Sequence, residues 1–78
     1  SLKLPINLQI NPKDTLNVIK LENEMDKIDL IYDYNVTSIS NKNLHYKIIF
    51  NGSPKQFLKI MNEKNIIIDI EDEIWKVK

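Results

Sequence analysis

The 78-residue chain has no cysteine, which removes disulfide frameworks, thiolate metal sites and thiol redox chemistry and leaves its compartment open. It has no arginine either: all eleven cations are lysine, so the planar fork that grips phosphate or carboxylate in a bidentate fashion is missing. A single glycine, Gly52, excludes the glycine-rich loops of nucleotide-binding motifs. A single histidine, His45, leaves little from which to build a catalytic triad and less for a zinc site. Eleven lysines balance eleven acids, so no net field draws the chain to nucleic acid or to an anionic membrane. No run of about 18 apolar residues is present to span a bilayer as a helix. Nothing in this inventory calls for a cofactor or a metal.

What the chain has is β-branched bulk. Fourteen isoleucines within an apolar fraction of 42% point to a β-rich core. A chain of 78 residues makes one domain, 1–78, that hides only about 60% of its unfolded surface. It starts at Ser1 without the features of a leader, which predicts a domain excised from a larger protein.

Two segments repeat one local program. Asn11-Pro12-Lys13 and Ser53-Pro54-Lys55 each follow an extended apolar run and precede apolar residues at helical spacing. Leu4, Ile6, Leu8 and Ile10 alternate with polar residues as a half-buried strand does. Asn11 is then expected to cap a helix with Pro12 at its first position, running to about Met25 and burying Leu16, Val18, Ile19, Leu21 and Met25. Ile28, Leu30, Tyr32, Tyr34 and Val36 read as the apolar face of a second strand, and Leu44, Tyr46, Ile48 and Phe50 as that of a third. The Ser53 to Gln56 capping box starts a second helix, which Asn65 ends in a left-handed conformation. Ile66 to Ile70 and Trp75 to Val77 complete the chain as a strand pair around the acidic turn Glu71-Asp72-Glu73.

The order predicts an α+β fold: a ferredoxin-like β-α-β-β-α-β two-layer sandwich with a short C-terminal β extension, its antiparallel sheet carrying both helices on one face. The uncovered face is where function is sought. The strand pattern turns Ile31, Ile49 and Ile67 outward there as an apolar patch, beside Asp33, His45 and Lys47. That face is expected to lack aromatic rings, which argues against stacking on single-stranded RNA. Asp29, Asp33, His45 and Lys47 form the alternative, a polar site for a small ligand or a hydrolytic reaction.

From residue 11 onward the chain resembles a bacterial family known as domain of unknown function two thousand and sixty-six. The resemblance rests on a helix, the apolar run Ile28 to Ile39, the strand Tyr46-Lys47-Ile48-Ile49-Phe50 ending in Asn51-Gly52, a second helix, Ile66 to Asp69, and the closing Trp75-Lys76-Val77. It implies a periplasmic or cell-envelope setting and no assigned activity or catalytic residue. Residues and resemblance together predict a non-enzymatic interaction or structural module. It would bind a protein partner or a neighbouring domain through the open sheet face or an edge strand, with its oligomeric state left open.

Overall fold

A computed structural model describes residues 3–71 and 73–78. Its elements are β1 (Lys3–Ile10), α1 (Thr15–Lys27), β2 (Ile31–Ile39), β3 (Leu44–Asn51), α2 (Pro54–Glu63), β4 (Ile68–Ile70) and β5 (Trp75–Val77). The fold is α+β, with two helices and one five-stranded sheet in the order β2-β3-β1-β5-β4.

The two proline motifs start different structures. At the second, the Ser53 hydroxyl accepts a hydrogen bond from the Gln56 amide at 3.1 Å and Pro54 opens α2. At the first, the Asn11 side chain accepts from the Lys13 amide at 2.9 Å and the Asn11 carbonyl accepts from the Asp14 amide at 3.1 Å, which makes a turn. Proline fits the second position of a turn as well as the first position of a helix, so α1 begins later than expected, at Thr15 behind Asp14. Helical spacing decides which stripe is buried. Leu21 and Met25 are buried with Val18 partly so, while Leu16 is 80% exposed. At 100° per residue Leu16 lies about 180° from Met25, and Ile19 on the flank is exposed as well.

Helix α2 ends as expected. Asn65 has φ 60°, the Ile66 amide donates to the Met61 carbonyl at 2.9 Å and the Asn65 amide to the Asn62 carbonyl at 3.0 Å. That pair of bonds is the Schellman closure, and it drives Ile66 into the core.

Both helices press on one face of the sheet. Ile6, Leu8 and Ile10 of β1 stand opposite Ile48, Tyr46 and Leu44 of β3, and all six join Leu21, Met25, Phe57 and Met61 in one buried cluster. Phe57 meets Phe50 edge-on with centroids 5.1 Å apart and lies 6.1 Å from the ring of Trp75. The first helix is tied down by its acids: the Tyr34 hydroxyl donates to Asp26 at 2.6 Å and the Tyr46 hydroxyl donates to Glu22. Lys64, at the end of α2, donates to Glu24 at 2.9 Å and links the helices.

The sheet is mixed rather than wholly antiparallel, so the strictly antiparallel ferredoxin-like order is corrected. β5 forms the expected hairpin with β4, but it lies between β4 and β1 and runs parallel to β1, with Trp75 opposite Leu8. Val77 is buried and Trp75 packs against the core, while in β4 Ile68 packs against it and Ile70 is exposed. The expected Glu71–Glu73 turn is described only in part, because Asp72 lies outside the described residues.

Strand β2 departs most from simple alternation. Against β3 it pairs Ile31 with Phe50, Asp33 with Ile49, Tyr34 with Ile48, Val36 with Tyr46, Ser38 with His45 and Ile39 with Leu44. The register slips between Ile31 and Asp33 and again between Val36 and Ser38, leaving Tyr32 and Thr37 as extra residues. Each slip reverses the parity of the residues beyond it. Ile31, Tyr34, Val36 and Ile39 therefore share the helix side, while Tyr32 turns away from it.

Candidate functional site

On the face away from the helices, β1 contributes Asn7 and Gln9, β3 contributes His45, Lys47 and Ile49, and β2 contributes Asp33 and Asn35, in register across three strands. The His45 ring lies 3.5 Å from the Gln9 amide nitrogen through Nδ1 and 3.4 Å from Asn7 Oδ1 through Nε2. Those roles fit the tautomer with its proton on Nε2, Gln9 donating to Nδ1. Each ring nitrogen thus has a side-chain amide as its neighbour, at the long end of hydrogen-bond distance. The nearby Thr37 hydroxyl donates to the His45 carbonyl at 3.3 Å rather than to the ring. The contacts make a polar seam between strands.

The expected cluster of six residues comes together only in part. Asp33, Ile49, His45 and Lys47 do share the open face, with Ile49 half-buried between Pro5 and Asp33. Ile31 does not: the first β2 bulge turns it to the helix side, where it packs against the core opposite Phe50. Ile67 stands just before β4, 46% exposed, and lines a small cavity of about 130 Å³ with Lys20, Leu21 and Val77. From β3 to β4 is three strand spacings, about 14 Å, so Ile49 and Ile67 form no patch. Asp29 falls in the turn between α1 and β2, off the sheet face.

The face also holds an aromatic that alternation hid. Tyr32 is 68% exposed and Lys3 Nζ sits 3.6 Å above its ring centre, a cation–π contact. The expectation of a face without rings is corrected by this one residue. No periodic signal marks a bulge, so Tyr32 could not have been assigned to that side from spacing.

Among the described residues no three acids or histidines gather in a way that holds a metal ion. Asp69 of β4 pairs with Lys78 at 3.3 Å. A cleft of about 330 Å³ is lined by Gln9, Asn43, Asp69, Glu71, Ile74 and Lys76. Small-molecule sites of that size are walled mainly by apolar side chains, and Ile74 is the single apolar residue in this lining. No helix among the described residues is long and apolar enough to cross a membrane.

The two edges of the sheet differ in a way that periodicity alone does not reveal. β2 is the terminal strand on one side and is nine residues long, with Asp33 its single charge. On its helix side α1 reaches Tyr34 through Asp26 and Tyr46 through Glu22, and there the cover stops. Val36 is 50% and Ile39 70% exposed, a bare apolar row next to an unpaired strand edge. The electrostatics beside it are set by tyrosine. The carboxylate of Asp26, first by its hydrogen bond and then with burial, pushes the Tyr34 phenol up to about 12, and burial followed by the Glu22 bond pushes Tyr46 upward too.

In comparisons with known proteins, no family model, no curated protein and no solved structure matches the chain.

Proposed function

We propose that the chain is a non-enzymatic interaction module that takes an extended segment of a protein partner, or of a neighbouring domain, along the outer edge of β2. The observation that carries the reading is the contrast between the two sheet edges. The far edge, β4, is three residues long, as short as protective edges usually are. β2 is nine residues long and carries neither lysine nor proline; the deterrents to a further strand that it does carry are its two bulges and Asp33. Strand addition draws affinity from main-chain hydrogen bonds and specificity from alternate side-chain sites. The backbone edge would supply the first, and Val36 and Ile39 the second.

Nucleic acid is not the partner proposed, since one ring and balanced charge give a strand of bases little to stack on or pair with. The polar seam around His45 favours no hydrolytic reading, because its ring contacts are amides. The resemblance of residues 11 to 78 to an envelope-protein family belongs to the same proposal and would place the module in the periplasm or envelope.

A photo-crosslinking residue at Ile39 in the native host tests the reading, with the exposed Lys59 of α2 as control. Adducts are expected at Ile39 and not at Lys59. Equal labelling at both positions, or none at Ile39, overturns it.

A further inference from the structure

Resting on the edge reading of β2, we infer that the segment added there is β2 of a second copy, paired antiparallel about a two-fold axis through Asn35. The pairing of β2 with β3 supplies the reason. Its helix-side residues are Ile31, Tyr34, Val36 and Ile39, facing Phe50, Ile48, Tyr46 and Leu44, and they are placed symmetrically on either side of Asn35. The bulges are symmetric too: Tyr32 with Asp33 makes one, Thr37 with Ser38 the other. Read in either direction, the strand shows the same succession of helix-side and open-side residues.

That symmetry has a physical use. Antiparallel partners must match face for face along their length, because a slip of one residue sends every following side chain to the wrong side. A strictly alternating strand has to slip at each β2 bulge, as β3 does. A second β2 meets bulge with bulge and keeps its faces matched over all nine residues.

The residues brought together also suit one another. On the helix side Ile31 meets Ile39 of the second copy and Tyr34 meets its Val36, the β-branched and aromatic–β-branched pairs that stabilise sheets. On the open side Tyr32 meets Ser38, Asp33 meets Thr37 and Asn35 meets its own copy. Asp33, the single charge on the strand, therefore faces a hydroxyl rather than another carboxylate. The exposed Val36 and Ile39 would be covered by Tyr34 and Ile31 across the axis. The product is an isologous dimer with one continuous ten-stranded sheet, all four helices on the same side.

The absence of cysteine makes the test clean. Under mild oxidation N35C is expected to form a disulfide-linked dimer, because only residue 35 faces itself across the axis. T37C and K59C are expected to stay monomeric, since two copies of residue 37 would lie about 14 Å apart along the strands. The unmodified chain is expected to sediment as a concentration-dependent dimer. V36K, which sets a lysine against Tyr34 twice per dimer, is expected to raise the dissociation constant about tenfold. A chain that sediments as a monomer throughout the series, or N35C that cross-links no more than K59C, overturns the two-fold pairing. The photo-crosslinks at Ile39 separate the two proposals. Adducts to a different protein with a monomeric chain overturn self-pairing and leave the edge reading standing; no adducts and no dimer overturn both.

Discussion

Replacing Phe57 by alanine probes the packing on which every other element depends. The ring is fully buried, meets Phe50 at an interplanar angle of 82° and lies 6.1 Å from Trp75, so it joins α2 to β3 and β5 at once. Truncating such a ring removes its transfer energy and leaves a cavity, together about 3 to 5 kcal/mol. A domain of 78 residues has roughly 4 to 12 kcal/mol in total at 0.05 to 0.15 kcal/mol per residue, so F57A sits near the limit of folding. The midpoint of thermal unfolding should fall by at least about 12 °C, at 4 °C or more per kcal/mol for this size. F57L keeps most of the volume and loses the ring geometry, which should cost about 1 to 1.5 kcal/mol. Urea unfolding followed by far-ultraviolet circular dichroism and by Trp75 fluorescence gives both numbers, since Trp75 is the only tryptophan and touches the mutated site. The denaturant slope should not change, because the surface exposed on unfolding is nearly the same. A loss below about 2 kcal/mol for F57A, or equal losses for alanine and leucine, would refute the argument that this ring is the meeting point of the core.

Gly52 is needed for space rather than for backbone freedom, because its φ is not positive and an added Cβ would stand 2.7 Å from the Phe50 ring and 2.5 Å from Gln56 Oε1. Gln56 is exposed and can move away, but Phe50 cannot, so G52A should cost about 1 to 3 kcal/mol in a urea titration, and a neutral result would mean that the ring has room to shift. Alkaline stability follows from the two phenols, whose neutral forms the fold favours. The Tyr34 contribution is complete below its unfolded value near pH 10 and is lost as pH rises through about 12, so Y34F should show a shallower decline in unfolding free energy across that window, and an identical decline in both proteins would remove Tyr34 as its source.

The elements could be read from the sequence wherever one periodicity ran unbroken. β1 and β3 keep strict alternation, and the buried residues of both are those that spacing indicates. Ser53 and Asn65 mark the ends of α2 because each has a local reason for its place, an accepting hydroxyl and a tolerated positive φ. Three features escaped, each set by something spacing does not encode. Asn11-Pro12 satisfies a turn and a helix start equally, so local chemistry does not separate them. The slips in β2 are imposed by its fit to β3, and a single one was enough to exchange Ile31 for Tyr32 on the open face. The position of β5 depends on competition between two short strands for the place beside β1, which no window of sequence contains. The candidate site moved for the second of these reasons: the isoleucine patch dissolved, while the edge strand that the same slips shape came forward.

The place of β5 governs the order in which the molecule assembles. β5, which follows every other element in sequence, fills the gap between β1, which precedes them all, and β4. As the polypeptide emerges during synthesis, β1, α1, β2, β3 and α2 can gather early, but β4 has no hydrogen-bonded neighbour until Trp75 to Val77 arrive. Closure of the sheet therefore waits for a pairing that spans nearly the whole sequence, the kind of contact that slows folding. Until then one side of β1 stays unpaired. Trp75 to Val77 act as the keystone, and without them the nascent domain carries two open strand edges where the finished one keeps a single long one.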